Sequence, residues 1–332
     1  MSTSTNRSSS HAGLLYLSQS DVASLGVTIT EIIDAVEKMF VEKAAGRVEM
    51  PPKPGIHPQP DAFIHAMPAY IPAIKSAGIK WVSGFPENYR RHLPYISGLI
   101  ILNDSETGLP LAVMDCVWIT AKRTAAASAV AAKYLARSDA ETVGILGCGV
   151  QGRSHLQALY TLFPLRRVMA YDTGATAREM YARSMSEELD LEVVAVDEPR
   201  EAVTGCDIVV TAGPILKVPH ATIQSGWLDP GGFAALVDFD SYWHPDALCE
   251  VDKFCTDDRW QLDFYRQEGY FQNIPPVYAE LAELVAGQKP GRENSGERTI
   301  TCNLGLALED MAVAHLVYQR AVDRGAGTWL SL

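Results

Sequence analysis

The sequence predicts an α/β fold of two domains, and three observations carry that expectation. Residues 141–172, ETVGILGCGVQGRSHLQALYTLFPLRRVMAYD, run as an apolar strand, a glycine-rich turn, a helix, a second strand and an acid. That alternation is the building unit of a parallel sheet covered by helices. A later stretch, Ala202-Val-Thr-Gly-Cys-Asp-Ile-Val-Val-Thr211-Ala-Gly213, places an acid before a buried-strand pattern and a small-residue loop, and reads as the fourth strand of the same sheet. Finally, 332 residues are long for one core and suit two domains of ordinary size.

The glycine turn gives the parallel sheet its chemistry. Gly147, Gly149 and Gly152 stand in G-x-G-x-x-G spacing, the signature of a Rossmann-type dinucleotide-binding domain. Gly147 permits the tight turn, Gly149 lets the backbone approach a pyrophosphate, and Gly152 lets the helix pack on the strand. The pyrophosphate would rest on the free N–H groups of the helix that starts at Val150 and Gln151. Twenty residues past Gly152, Asp172 offers a carboxylate to both ribose hydroxyls. A 2′-phosphate would meet it as a like charge, so NAD is expected rather than NADP.

Composition bounds the rest. No apolar run reaches the roughly 20 residues needed to cross a bilayer, so no membrane association is expected. A formal net charge of −12 argues against nucleic acid or an anionic membrane as partner. Any anionic ligand must then be held by local cations. The six cysteines (Cys116, Cys148, Cys206, Cys249, Cys255, Cys302) show neither C-x-x-C spacing nor clustering with histidine, which points to reduced residues of a cytoplasmic protein and to no metal site. The Ser/Thr-rich Met1–Gly13 lacks the apolar core of a secretory signal and reads as a disordered tip.

In chain order, Leu14 to Leu17 reads as a short strand, and Ile29 to Ala45 as an amphipathic helix burying Ile32, Ile33, Val36, Met39 and Phe40. The proline-rich Val48 to Pro60 is expected to be a loop. Strands follow at Phe63 to Met67, Ala77 to Val82, Leu99 to Asn103 and Leu111 to Asp115, with a hairpin turn over Asn103 to Gly108. Ile119 to Arg137, rich in alanine and free of glycine and proline, is a long helix that leads into the glycine-loop strand. The last nucleotide-domain strand is placed at Thr299 to Asn303, and Leu306 to Arg324 is a helix stopped by Gly325. If that helix packs back on the first domain, the first domain is discontinuous. The expected division is 14–125, 126–305 and a returning segment, 306–332.

Five segments together resemble the ornithine cyclodeaminase and μ-crystallin family. They are Met67-Pro-Ala-Tyr70, Gly78-Ile-Lys80-Trp-Val-Ser-Gly-Phe-Pro-Glu-Asn88, Ile119-Thr-Ala-Lys-Arg123-Thr124-Ala-Ala-Ala-Ser128, the glycine loop, and Asn303-Leu-Gly-Leu-Ala-Leu-Glu-Asp310. The resemblance runs from about residue 14 to residue 325. It implies an α+β substrate-binding and dimerisation domain beside the nucleotide fold, a homodimer built through it, and a cleft between the two. The family's enzymes oxidise an amino acid at its α-carbon to an imine. Dehydrogenases and imine reductases release the product or run the reaction backwards; cyclodeaminases close a ring and expel ammonia. A further branch binds small ligands without catalysis.

The resemblance also assigns residues. Arg123 is the expected carboxylate-binding residue, because a guanidinium can grip a carboxylate with two parallel hydrogen bonds; an exposed arginine at a helix start is the alternative. Lys80 interrupts a strand pattern where charge is unwelcome, and stands where the family keeps a lysine at the substrate's carboxylate and amine. Its alternative is a lysine reaching out from an edge strand. Lys53 replaces an arginine common in the family, and His65 stands where cyclodeaminases carry a glutamate, two residues before Met67. Asp238 or Asp240 takes the place of the cyclodeaminase aspartate, or else caps the following helix. On the cofactor side the resemblance adds Thr124 as a phosphate donor, Thr211, and Asn303 and Leu304 near the nicotinamide. His57, His65, Lys53, Arg90 and Arg91 would suit an acidic substrate if they face the cleft rather than water. The expected function is therefore an NAD(H)-dependent oxidoreductase acting on the CH–NH2 or C=N bond of a small α-amino or α-imino acid, with a cyclodeaminase-type lyase and a non-enzymatic ligand binder as alternatives.

Overall fold

The computed structural model describes residues 13–59 and 61–332, apart from the Tyr89 side chain. The expected disordered tip thus lies, Gly13 excepted, outside the described residues. Among the described residues two sheets organise the chain. The first has seven strands in the order Thr328–Leu330, Leu14–Leu17, Pro110–Asp115, Ile96–Asp104, Ser76–Gly84, Phe63–Ile71 and Gly55–Ile56. Within it only the pairing of Leu14–Leu17 with Pro110–Asp115 is parallel. The second has eight strands, all parallel, in the order Ala279–Glu280, Lys253–Thr256, Thr299–Cys302, Phe233–Leu236, Ile208–Thr211, Thr142–Leu146, Arg167–Tyr171 and Glu192–Ala195.

The direction of the winding reverses between Thr142–Leu146 and Ile208–Thr211. In an open parallel sheet that reversal leaves a crevice beyond the carboxyl ends of the strands, where ligands bind. Gly147 sits at its floor with φ +108°, and a Cβ there would stand 2.6 Å from the Ala212 carbonyl oxygen. The approach of the two loops is therefore open only to glycine.

Two helices tie the sheets together. Val117–Leu135 is alanine-rich, so neighbours approach it closely on nearly every side, and most of its residues are buried. It continues unbroken through the expected 125/126 division, which instead falls along a helix shared by both halves. Ala307–Arg324 crosses back to the first sheet: Ser76 Oγ donates to the Met311 carbonyl at 2.9 Å, and a Cβ on Gly78 would stand 3.0 Å from Met311 Sδ. The chain then adds Thr328–Leu330 as an antiparallel edge strand beside Leu14–Leu17, where no strand was expected. The proline-rich loop also differs from expectation, since Gly55–Ile56 pairs with Ile64 and His65, and Glu49 bridges Tyr70. The Ile29–Ala44 helix buries Ile32, Ile33, Val36, Met39 and Phe40 and starts in a capping box between Thr28 and Glu31.

Candidate active site

Lys80 lies on an inner strand, between Phe63–Ile71 and Ile96–Asp104, and its register partners are Met67 and Ile100. The edge-strand alternative is thereby removed. Side chains alternate across a sheet, and Lys80 shares with buried Met67, Val82, Ile100 and Leu102 the face that the Ala307–Arg324 helix covers. A lysine there is 1 % exposed, a placement that demands a partner. Asp310 supplies it: Oδ2 lies 2.7 Å from Lys80 Nζ, while Oδ1 lies 3.0 Å from Arg123 Nε. Arg123 is buried as well, and its Nη1 donates to Glu309 Oε2 at 2.6 Å. The exposed-helix-start alternative for Arg123 falls with that burial.

A third cation joins from the proline-rich segment. Lys53 Nζ donates to the carbonyls of Leu304 (2.9 Å) and Gly305 (3.1 Å) and stands 5.1 Å from the centre of the Tyr265 ring. Asp257 accepts the Gly305 N–H at 2.8 Å. Three cations thus share a buried cluster with three carboxylates: Lys53, Lys80 and Arg123 with Asp257, Glu309 and Asp310.

Burial governs how these groups titrate. It pulls Lys80 below the ordinary lysine value, with the Arg123 charge adding to the pull and Asp310 opposing it. Burial brings Lys53 down to about 7 against the attraction of Asp257. The same cause raises Glu309 to about 7, against Arg123, and Asp257 to about 6. For Arg123 burial works downward, but Asp310 and Glu309 outweigh it and hold the guanidinium above its usual range. The site therefore keeps one permanent cation and several groups poised near neutrality.

At the crevice, a Cβ on Gly149 would meet nothing within 4 Å, whereas one on Gly152 would stand 2.2 Å from the Gly147 carbonyl oxygen. There is open space where a pyrophosphate belongs and tight packing where the helix meets the strand, so the loop fits a dinucleotide. The helix begins at Val150, which is exposed, and Gln151 follows in its first turn with a buried Oε1 that has no hydrogen-bond partner. Asp172 is fixed at the strand end by the N–H groups of Cys148 and Gly174, each at 2.9 Å. Asn303 is buried one residue before Leu304, and Thr211 is buried at its strand end.

Several expectations need correction. Thr124 lies inside its helix, and its hydroxyl donates to the Thr120 carbonyl at 2.7 Å, so the hydroxyl hydrogen is already committed within the helix. Asp238 neither caps a helix nor points free: it accepts from Thr211 Oγ1 at 2.7 Å and from the Gly213 N–H at 2.9 Å, and His244 caps the following helix. Asp240 is buried with Oδ1 unpartnered, and burial raises its pKa. His65 adds no positive charge, because burial, with Lys53 and His57 nearby, drives it down to about 3; it stacks on Phe63 with ring centres 4.3 Å apart. His57, Arg90 and Arg91 are exposed. Asp257, Glu309 and Asp310 were not among the expected site residues. The signal was there for two of them: a Glu-Asp pair in the first turn of a helix, followed directly by the apolar run Met311-Ala-Val-Ala314.

Comparisons with known proteins agree with this geometry. Residues 15–325 match the ornithine cyclodeaminase/mu-crystallin family. The chain is 35 % identical over 323 residues to an alanine dehydrogenase of Archaeoglobus fulgidus, covering 95 % of this chain and 97 % of that protein. Among solved structures, the Δ1-pyrroline-2-carboxylate reductase of Thermococcus litoralis in complex with NADH and L-proline is 35 % identical with a TM-score of 0.87, over 95 % of this chain and 99 % of that one. An archaeal alanine dehydrogenase dimer with bound NAD is 33 % identical with a TM-score of 0.85, over 96 % and 98 % of the respective chains.

Proposed function

The chain belongs to the ornithine cyclodeaminase/mu-crystallin family, and from that premise we propose an NAD(H)-dependent oxidoreductase acting on the carbon–nitrogen bond of a small α-amino or α-imino acid. The observation that carries the reading is the buried Lys53–Lys80–Arg123 cluster, joined through Leu304 and Gly305 to the segment that follows Thr299–Cys302, the last strand of the parallel sheet in chain order. The alanine dehydrogenase and the pyrroline-2-carboxylate reductase among its relatives support it.

Gly147, Gly149, Val150, Gln151 and Gly152 would hold the pyrophosphate and Asp172 the ribose, with Thr211, Asn303 and Leu304 toward the nicotinamide. The bound cofactor supplies hydride exchange at the substrate's α-carbon. Arg123 fixes the substrate carboxylate, with Glu309 and Asp310 setting the plane of its guanidinium. Lys80, its pKa lowered, takes or returns the proton on the substrate nitrogen. Lys53 adds charge near the carboxylate while it is protonated. Met67 packs beside Lys80, and half-buried His65 forms part of the substrate wall. Asp240, with one carboxylate oxygen free, is the better placed of the two aspartates to meet the amine.

Three carboxylates already balance three cations, and His65 is neutral. That balance supports a substrate whose side chain carries no charge over an aminodicarboxylate. The active form is proposed to be a cytoplasmic homodimer. Its support is the apolar outer face of the first sheet, the dimeric relative, and six cysteines that are all free. Incubation with NAD and a panel of alanine, proline, aspartate and ornithine, following NADH and ammonia in parallel, tests the reading. Net NADH from a neutral amino acid is expected. Ammonia and proline from ornithine without net NADH would move the protein to the cyclodeaminases, and silence on both channels would overturn the proposal.

A further inference from the structure

His155 is a fully buried titratable group that the mechanism above leaves unused. Both of its ring nitrogens have partners. Nδ1 lies 2.8 Å from the Gln151 carbonyl oxygen, and Nε2 lies 3.0 Å from Ser128 Oγ. A carbonyl can only accept, so Nδ1 carries the hydrogen and Nε2 is bare. The Ser128 hydroxyl must then donate to Nε2, which leaves its lone pairs for Asn303 Nδ2, 3.3 Å away. The Asn303 Oδ1 in turn accepts the Thr301 hydroxyl at 2.7 Å.

Each bond in this series has one permitted direction, and the side chains of Thr301, Asn303, Ser128 and His155 are all buried. A fully satisfied buried network is rigid, and a single missing member leaves costly orphans. Burial lowers His155 to about 4, so the imidazole stays neutral and the directions hold across the working pH range.

The series joins three places the active site depends on. Gln151 is in the first turn of the glycine-loop helix, Ser128 lies on the helix that carries Arg123, and Asn303 directly precedes Leu304 and Gly305, whose carbonyls accept from Lys53. We propose that His155 and Ser128 are positioning residues: through Asn303 they set the nicotinamide side of the crevice in register with the glycine loop and with the substrate-holding helix. One hydrogen of Asn303 Nδ2 is committed to Ser128, and the other can serve a bound carboxamide. The inference rests on the reading of the crevice as an NAD site.

Ser128→Ala tests it with little risk to the fold, because it removes only a hydroxyl from a helix where alanine is the favoured residue. In single-turnover experiments with NADH and the imine or oxo acid that the wild type reduces, S128A is expected to slow hydride transfer about tenfold, equal to about 1.4 kcal/mol of barrier. Ser128→Cys, nearly isosteric and a weaker donor, should fall between S128A and the wild type. A readout independent of turnover comes from 15N NMR of the His155 ring. NADH should shift its nitrogen resonances in the wild type, and that response should vanish in S128A. A folded S128A with wild-type melting temperature and wild-type single-turnover rate would overturn the proposal, as would His155 nitrogens that ignore NADH in a wild type that binds it. A drop in melting temperature with an unchanged rate would also overturn it, reducing the network to a structural role. If S128A does not fold, the wild-type titration and S128C decide. A wild type that binds no NADH would instead sink the reading of the crevice.

Discussion

At the scale of single residues, the site is defined by how its cations are partnered. Lys80→Met leaves Asp310 with Arg123, so the fold has reason to survive while the proposed proton-handling group is lost. The expected result is a kcat lowered by about a hundredfold or more, the scale of general acid–base catalysis, with NAD affinity near wild type in a fluorescence titration. Arg123→Lys keeps a charge for Glu309 and Asp310 but loses the planar fork. It should act mainly on KM for the amino acid, raising it about tenfold, which is about 1.4 kcal/mol. An Arg123→Lys enzyme with unchanged KM would show that the substrate carboxylate binds elsewhere. Asp172→Ala should narrow the preference for NAD(H) over NADP(H), set in the wild type by repulsion of a 2′-phosphate and measured as a ratio of dissociation constants.

The pH dependence follows from the same residues. Lys53, brought down to about 7, loses its positive charge as pH rises through neutrality; Asp257, raised to about 6, and Glu309, raised to about 7, gain negative charge over the same window. All three changes disfavour an anionic substrate. KM for the amino or imino acid should therefore rise above about pH 7 while the dissociation constant for NAD stays flat. Lys53→Arg, which remains charged, should make that rise shallower. The two carboxylates alone would then produce what remains.

At the scale of elements, the strands and helices were legible wherever a periodic pattern met a clear stop, as in Ile29–Ala44, whose five expected inward residues are buried. The glycine spacing announced the crevice for the same reason: Gly147 and Gly152 each answer a local steric demand, and Gly149 leaves open space. Other features were hidden because they depend on partners far along the chain. Nothing local reveals that Thr328–Leu330 pairs with Leu14–Leu17, or that Asp310 closes on Lys80 of the first sheet and Glu309 on Arg123 of the Val117–Leu135 helix. His65 misled for a related reason: its charge is set by burial, which a sequence does not display. The linker Asn303 to Leu306 shows what an element boundary can control. Gly305 has φ +78°, and a Cβ there would stand 2.5 Å from Arg123 Nη1. Gly305→Ala combines backbone strain of about 1–2 kcal/mol with a push on the guanidinium. It should raise KM for the amino acid with less effect on NAD affinity, measured side by side. Equal loss of both would mean that the whole linker has shifted.

At the scale of the molecule, the two-domain architecture was readable because a parallel sheet and an antiparallel one leave different patterns, whereas assembly leaves only a surface. For the proposed homodimer that surface is the face of the first sheet opposite Lys80. Register places Trp81 beside Leu99, Ile79 beside Ile101, Ile101 beside Val113, and Val113 beside Tyr16. Of these, Trp81 is 48 % exposed, Leu99 44 % and Tyr16 40 %. Monomers rarely leave so broad an apolar patch in water, and on a β-sheet it invites a second sheet to stack on it. A twofold axis would bring the same patch of each copy together, the commonest closed arrangement. The proposed homodimer then makes a sharp demand on Trp81, a neighbour of Lys80 in sequence that faces the other way. Trp81→Glu places a charge at the centre of a dry, self-complementary interface, and two copies would bury two like charges. Light scattering at micromolar concentration should report the mass of two chains for the wild type and of one for Trp81→Glu, with NADH binding per chain retained because the crevice lies in the second sheet. A wild type with the mass of one chain would end the dimer proposal. A dimeric Trp81→Glu would move the interface off this face.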